Sequence, residues 1–269
     1  MQNADQRQLL AAAVVLACAV AIWRAAQALS LQSGFDPAHQ HVVFAVLLGP
    51  FVFALIALAL RWHGRGLRWL GLAREGAARA AATGLLAYLL PAGLALAACL
   101  AAGVLSISAQ APLGELLSGI AMIAVLVLLG EALPEELLFR GYLWAGLSGV
   151  LSTWQVVAAQ AVLFVVAAAA MGAVANPLDA SFLLCFAVVL GLLRAATASL
   201  WAPIAFHLAF MVVQQSMGSS RNLFAVDRPE LMQMMMAMLP FSIAIIAFHR
   251  RVAWTARPTP GTPGTSQQG

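Results

Sequence analysis

Residues 116–138 read LLSGIAMIAVLVLLGEALPEELL. No charge interrupts the stretch before Glu131, and its length is enough to cross the roughly 30 Å hydrocarbon core of a bilayer as one helix. Three carboxylates then follow within six positions: Glu131, Glu135 and Glu136. An unpaired charge at membrane depth is costly, so such residues are retained where they pair, line a wet cavity or take part in chemistry. The stretch therefore predicts a membrane span with a functional site near its cytoplasmic end.

The composition of the whole chain indicates the same environment. Hydrophobic residues make up 63% of the 269 residues and charged residues 9%, against about 25% charged residues in soluble domains. The chain contains no lysine, and its net charge of +4 comes from 14 arginines and 10 acidic residues spread along its length. This distribution does not indicate nucleic-acid binding. We expect an all-α, polytopic membrane helical bundle that encloses a cavity and has membrane lipid as a partner.

Apolar runs of spanning length recur and predict about eight transmembrane helices. They lie near residues 9–29, 42–60, 81–103, 116–138, 153–173, 180–194, 198–217 and 231–248. The predicted organisation is an N-terminal part with a basic interfacial loop, a core domain, a C-terminal helix and a disordered tail rich in Pro, Gly, Thr and Gln. These parts cover residues 1–115, 116–217, 218–256 and 257–269. Ala26-Gln27-Ala28 is similar to a signal-peptidase site, but the weakly basic start of the chain favours an uncleaved first helix.

The arginines predict the orientation of the helices. With both termini in the cytoplasm, eleven of the fourteen arginines fall on the cytoplasmic side, the opposite side holds only Arg221 and Arg228, and Arg24 lies within the first predicted span. The positive-inside rule describes this bias. Within it, the Trp and Arg residues of the segment 61–70 are placed to lie at the level of the lipid headgroups. The arginine-only, alanine-rich composition is typical of a high-GC genome, so we expect a bacterial cytoplasmic (inner) membrane.

The acidic cluster has the spacing of a functional site. On a helix, Glu136 and Arg140 are neighbours at i and i+4, which suits an ion pair. Glu135 points about 100° away from Glu136 and could face a cavity. Pro134 weakens the helix just before the pair. An interfacial charge cluster at a helix end is the alternative, but it fits two adjacent glutamates and Glu131 poorly.

The remaining histidines and cysteines favour no metal site. His207 lies roughly 13 Å into the seventh predicted span, where it either has a function or bonds a neighbouring helix. His39 and His41 are expected in a loop on the other side of the membrane. A catalytic zinc needs three protein ligands, so neither a metal nor another cofactor is expected. The cysteines lie in apolar runs without a Cys-x-x-Cys pair, at positions Cys18, Cys99 and Cys185.

Two segments resemble the CPBP family, the CAAX protease and bacteriocin-processing membrane proteins that include the type II CAAX prenyl endopeptidases. The first, Glu135-Glu136-Leu137-Leu138-Phe139-Arg140-Gly141, matches a Glu-Glu-x-x-x-Arg motif. The second runs from Gly191 through Leu200-Trp201-Ala202-Pro203-Ile204 to His207. Both lie within residues 116–217 in the family's order. The resemblance implies a helical bundle around a conical cavity, where a glutamate activates water to hydrolyse a peptide bond.

The resemblance also implies roles for individual residues. Glu135 would be the general base, Glu136 and Arg140 the supporting ion pair, and His207 a ligand of the oxyanion or the water. Apolar residues in the motifs would line the substrate cavity: Phe139, Phe164 and Met211. A carboxylate in apolar surroundings becomes a better base. The expected substrate is a peptide or protein with a membrane-associated segment.

Two positions depart from the family pattern. The second motif, Phe-x-x-x-His, reads Phe164-Val165-Val166-Ala167-Ala168, with alanine in place of histidine. The fourth motif, His-x-x-x-Asn, reads His207-Leu208-Ala209-Phe210-Met211, with methionine in place of asparagine. In the family the missing histidine shares the water with the first glutamate. The incomplete motifs therefore leave proton transfer to one carboxylate.

Three functions remain open at this point. The first is an intramembrane endopeptidase that depends on Glu135. The second is a catalytically degenerate relative that binds a partner or peptide without cleaving it, which Ala168 and Met211 suggest. The third is a transporter or channel, although the acids cluster at one end of a span and no repeated broken-helix pattern is evident.

Overall fold

The computed structural model describes residues 2–218 and 221–258, with the backbone alone for residues 2–5 and 38. Eight long helices lie within these residues, numbered α1 to α8 in chain order. They are Gln2–Gln32, Pro37–Trp62, Ala77–Ala101, Leu113–Ser148, Thr153–Ala170, Pro177–Thr197, Trp201–Met217 and Pro229–Phe248. The predicted all-α membrane bundle is confirmed. Of the predicted tail, residues 259–269 lie outside the described residues.

Seven of these helices are long and apolar enough to cross a membrane, counting only the part of the chain that the structure describes. The eighth, α7, has 17 residues, which at about 1.5 Å per residue spans roughly 25 Å. It packs between α3 and α4 inside the bundle. A helix surrounded by other helices does not have to match the full thickness of the bilayer. The protein is therefore an integral membrane protein, with α7 as a buried central helix.

Successive helices run in opposite directions, so their connections collect at two ends of the bundle. One end, called the basic end, holds the connections α2–α3, α4–α5 and α6–α7. The other, called the ribbon end, holds a two-stranded antiparallel ribbon that the sequence did not predict. Its strands, β1 (Ile107–Ala109) and β2 (Phe224–Val226), pair Ser108 with Ala225. Asp227 extends the ribbon by accepting the backbone N–H of Ser106 at 2.9 Å.

The interior is built around α3, α6, α7 and α8. Tyr88 of α3 packs edge-on against Phe206 of α7, with ring centroids 5.4 Å apart. Phe186 of α6 stacks on Phe241 of α8 at 5.5 Å. Where α3 crosses α7, Gly84 lies so close to the backbone that a Cβ added there would be 1.9 Å from the carbonyl oxygen of Ala202. Small residues allow such close helix contacts in membranes, where packing rather than water exclusion holds helices together.

The helix α4 extends beyond its predicted end at residue 138. It continues to Ser148, so Glu136 lies about 18 Å from that end at roughly 1.5 Å per residue. The acidic cluster therefore lies within α4 and not at the end of this helix. Arg140 interrupts the apolar run in the sequence, but its side chain is fully buried and paired with Glu136. The pairing lets the helix carry a charged residue through the interior.

Candidate active site

The acidic cluster lies in a helix segment with unusual geometry. Two stretches of α4 have π-helical hydrogen bonding, Leu128–Ala132 and Leu137–Leu143. They flank four α-helical residues, Leu133–Glu136, which include Pro134 and both neighbouring glutamates. Each π turn inserts extra backbone and changes the direction of the side chains that follow, and such turns are frequent at functional sites.

Glu136 is the centre of a buried charged cluster. Its Oε1 accepts a hydrogen bond from Nη1 of Arg140 at 3.1 Å and lies 3.0 Å from Nδ1 of His207. The side chains of Glu136 and Arg140 are fully buried, and that of His207 is 2% exposed. The i,i+4 ion pair that the sequence suggested is thus present. A carboxylate on Nδ1 directs the other ring nitrogen of His207 away from Glu136.

Arg140 is held from several sides. Its Nη2 donates to the carbonyl oxygen of Ala187 at 3.1 Å, which also accepts from Nε2 of Gln160 at 3.0 Å. The guanidinium lies over the ring of Phe164, 4.8 Å from its centroid. The backbone carbonyl of Arg140 accepts a hydrogen bond from Nε of Arg194 at 3.1 Å. These contacts fix the cation that holds Glu136 in place.

The side chain of Glu135 points to a different side of α4 from that of Glu136. It is half-buried and lines a small pocket between α1, α2 and α5. The other lining residues are Ala19, Val20, Trp23, Val52, Pro134, Leu138, Phe139, Ala167 and Met171. No described side chain forms a hydrogen bond with the Glu135 carboxylate, so it remains available to a molecule in the pocket. His207 and Arg140 both interact with it electrostatically.

Of the three residues that were expected to line a substrate cavity, the structure brings two into contact and places the third elsewhere. Phe139 lines the pocket with Glu135. Phe164 instead packs against Phe139 with ring centroids 5.0 Å apart and covers Arg140. Met211 packs on the other side of α4, against the buried cluster of Ile123, Val127 and Ala132.

Ala168 is 4% exposed, and within the described part of the chain the pocket lining contains no second ionisable side chain beside Glu135. The histidine that the family pattern places here is therefore not replaced by another ionisable residue from a neighbouring helix. Trp23, whose indole carries an N–H, also lines the pocket.

Sequence reasoning missed two polar residues of the cluster. Gln160 is fully buried in α5, and a glutamine inside an apolar span could have marked it. Arg194 was counted with Arg140 among the arginines outside the membrane, but Arg194 is 1% exposed within α6. Nine of the eleven arginines assigned to the cytoplasmic side therefore remain exposed at the basic end. The apolar run of α6 ends near Arg194, so the sequence alone did not distinguish a loop from a buried site.

A second polar cluster lies towards the ribbon end. Glu131 accepts a hydrogen bond from Nε2 of Gln215 at 2.8 Å, and Nε2 of His41 lies 2.9 Å from its Oε1. Arg221 contacts both His41 and Gln215. His41 was expected to be a loop residue remote from the acids, and it is instead in α2 beside Glu131. Within the described residues, no group of three His, Cys, Asp or Glu side chains is arranged to hold a metal ion.

Comparison with known proteins supports the family resemblance. Residues 117–213 match the family model described as "Type II CAAX prenyl endopeptidase Rce1-like". No curated protein and no solved structure was found to match the chain. The matched segment contains Glu135 and the three residues of the buried cluster, Glu136, Arg140 and His207. Residues 117–213 of this integral membrane protein therefore match the Rce1-like family model, which is consistent with membership of the CPBP family.

Proposed function

We propose that this protein is an intramembrane endopeptidase that cleaves a membrane-associated peptide or protein, with Glu135 as the general base. The observation that carries the proposal is the difference in environment between two adjacent carboxylates. Glu136 is fully buried and bonded to Arg140 and His207, whereas Glu135 faces a pocket. A general base must be accessible to the proton that it removes.

In the proposed reaction, a water molecule in the pocket attacks the carbonyl carbon of the scissile peptide bond. Glu135 takes the proton that the water loses, and this proton then passes to the leaving amine as the C–N bond breaks. Arg140 holds Glu136 in position, and Glu136 holds the ring of His207 in one orientation. His207 and Arg140 supply positive charge near the developing oxyanion.

Localisation belongs to the same proposal. We place the protein in a bacterial cytoplasmic membrane with both termini in the cytoplasm. The exposed arginines at the basic end and the positive-inside rule support this orientation. The substrate then approaches Glu135 from within the membrane.

The test is hydrolysis of a peptide library by the purified protein in detergent. Replacing Glu135 with Gln is expected to lower the rate by about 10²–10⁴-fold, the usual contribution of a general base. Glu115→Gln, an exposed position in the first turn of α4, is the matched control and should hydrolyse like the wild type. Equal rates for Glu135→Gln and the wild type would remove Glu135 from the mechanism.

The apolar surroundings of Glu135 favour a second candidate. Because position 168 is alanine and, within the described residues, the pocket lining contains no ionisable group besides Glu135, the domain could bind a peptide without cleaving it. Ala168→His separates the two functions. A wild type without activity and an Ala168→His variant that cleaves would identify a degenerate binding protein, whereas cleavage by the wild type supports the enzyme.

A further inference from the structure

Residues 61–79, the basic loop, join α2 to α3 at the basic end. Five arginines in it are exposed: Arg61, Arg65, Arg68, Arg74 and Arg79. The only acid of the loop, Glu75, bonds Arg68 at 2.6 Å. A hydrogen bond from its own backbone, and next Arg68, hold the pKa of Glu75 below its ordinary value, so it stays ionised and compensates one arginine. The other four arginines have no carboxylate partner within the described residues.

The outer surface of the basic loop is also apolar. Trp62 is 85% exposed and Leu67 is 59% exposed. Trp62 is the last residue of α2 and Leu67 lies between α2 and α3, a region that we expect at the depth of the lipid headgroups. Tryptophan prefers this depth because its ring is apolar and its N–H is polar. Arginine side chains beside exposed apolar residues fit a phospholipid, which offers a phosphate and an acyl chain together, better than a free phosphate ion.

The inner surface of the same loop is attached to the α6–α7 connection. The carbonyl oxygen of Gly71 accepts the backbone N–H of Leu200 at 3.0 Å, and that of Ala73 accepts Nε1–H of Trp201 at 3.0 Å. Gly71 has a φ of +89°, and a Cβ there would lie 2.6 Å from Nη2 of Arg194. The loop backbone therefore covers the Arg194 guanidinium directly.

Arg194 connects the basic loop to the candidate active site. Its Nε donates to the backbone carbonyl of Arg140 at 3.1 Å, and Arg140 holds Glu136 at 3.1 Å. Arg194 is buried, its Nη2 has no hydrogen-bond partner within the described residues, and its guanidinium lies over the ring of Trp144 at 5.6 Å. The position of Arg194 thus depends on packing, and the basic loop supplies one wall of that packing.

We propose that the basic loop is a binding surface for anionic phospholipid headgroups, and that lipid bound there stabilises the loop on Arg194 and so the Glu136–Arg140–His207 cluster. The mutual repulsion of the arginines opposes a compact loop, and lipid phosphates remove this repulsion. Each arginine near an anionic surface contributes about fivefold in affinity. The lipid-binding part of this proposal is independent of the proposed function. Any consequence of the stabilised cluster for hydrolysis rests on the proposed function.

The experiment uses the full chain in nanodiscs of phosphatidylcholine, with or without phosphatidylglycerol. Retained lipid is measured by native mass spectrometry, and the unfolding temperature is measured in the same discs. The test variant is Arg65→Gln/Arg74→Gln. The control is Arg250→Gln/Arg251→Gln, which removes two exposed arginines at the same end of the bundle but outside the loop. Inorganic phosphate added to phosphatidylcholine discs distinguishes a free anion from a lipid.

The wild type should retain phosphatidylglycerol and unfold at a higher temperature with it. The test variant should lose about tenfold or more in phosphatidylglycerol retention, and the control should lose clearly less. Equal losses in both variants, or the same stabilisation by inorganic phosphate, would overturn the proposal.

Trp201→Phe tests the coupling, because it removes the hydrogen bond to Ala73 and keeps an aromatic ring at this position. This variant should retain as much phosphatidylglycerol as the wild type, but phosphatidylglycerol should raise its unfolding temperature by less. An equal rise in the variant and the wild type would contradict the coupling. Gly71→Ala, which displaces Arg194, should show the same separation more strongly if it folds. Glu135→Gln should retain as much lipid as the wild type. The lipid-binding result therefore does not depend on whether the protein hydrolyses peptides.

Discussion

Glu135 and Glu136 are neighbours in the chain but have different environments. Glu136 is fully buried, with Arg140 and His207 on one of its oxygens. Glu135 lines a pocket of apolar side chains. The difference follows from the helix, which turns successive side chains by about 100°, and from the partners that each direction meets. One residue is thus suited to structure and the other to chemistry.

The ion pair predicts a large effect on stability. Glu136→Gln leaves the fully buried Arg140 without a carboxylate, and removing one partner of a buried pair costs about 3–5 kcal/mol. We expect a corresponding fall in the unfolding temperature in detergent. The double variant Glu136→Gln/Arg140→Gln should recover part of the loss, because no buried charge remains unpaired.

The exposed pair Arg68–Glu75, at 2.6 Å, is the matched control. Glu75→Gln should leave the unfolding temperature unchanged, because solvent screens an exposed pair. Equal effects of Glu75→Gln and Glu136→Gln would contradict the role assigned to burial.

At the scale of the helices, packing depends on close backbone approach. Gly84→Ala places a Cβ 1.9 Å from the carbonyl oxygen of Ala202, and a backbone atom cannot move away as a flexible side chain can. We expect a loss of about 1–3 kcal/mol, typical of overpacking, measured as thermal unfolding. Gly93→Ala, on the same helix with open space around it, should be neutral or slightly stabilising because alanine favours helix. A similar loss in both variants would contradict the role assigned to the α3–α7 contact.

The end of α6 offers a stabilising change. Ala198 terminates the helix in a left-handed conformation, with φ of +51°. This conformation costs a non-glycine residue roughly 1–2 kcal/mol. Ala198→Gly should therefore raise the unfolding free energy by ~1 kcal/mol, with part of the gain offset by the greater freedom of glycine when unfolded. A lower unfolding temperature would show that the methyl group of Ala198 contributes packing that outweighs the strain.

At the scale of the whole molecule, the alternation of helices predicts that the two ends face opposite sides of the membrane. Gly66 of the basic loop and Ser108 of β1 are both exposed. In a background where Cys18, Cys99 and Cys185 are replaced by Ala, Gly66→Cys and Ser108→Cys should react with a membrane-impermeant maleimide from opposite sides of sealed vesicles. The cytoplasmic side should be that of Gly66, because of the arginine bias. Labelling of both positions from one side would contradict the arrangement of the bundle.

Much of this architecture could be predicted from local sequence. The apolar runs predicted about eight helices, because a bilayer requires every span to be long and apolar. The pair Glu136–Arg140 could be predicted from its i,i+4 spacing. The length of α4 could not be predicted, because Arg140 can lie in the apolar interior only when it is paired with Glu136. The same reason explains why Arg194 was assigned to a loop, because its burial depends on Trp144 and Gly71, which are distant in sequence.

Composition and spacing alone predicted a membrane bundle with an acidic cluster in one span, since a bilayer restricts which residues can span it and a helix sets which residues are neighbours. The family came from the resemblance of the motifs. The packing of α1, α2 and α5 decides that Glu135 faces a pocket, and the packing of α6 and α7 decides that Glu136 meets His207 and Arg140 meets Ala187. These contacts join residues on separate helices. Their formation depends on how whole helices fit together, and no local pattern in the chain records that fit.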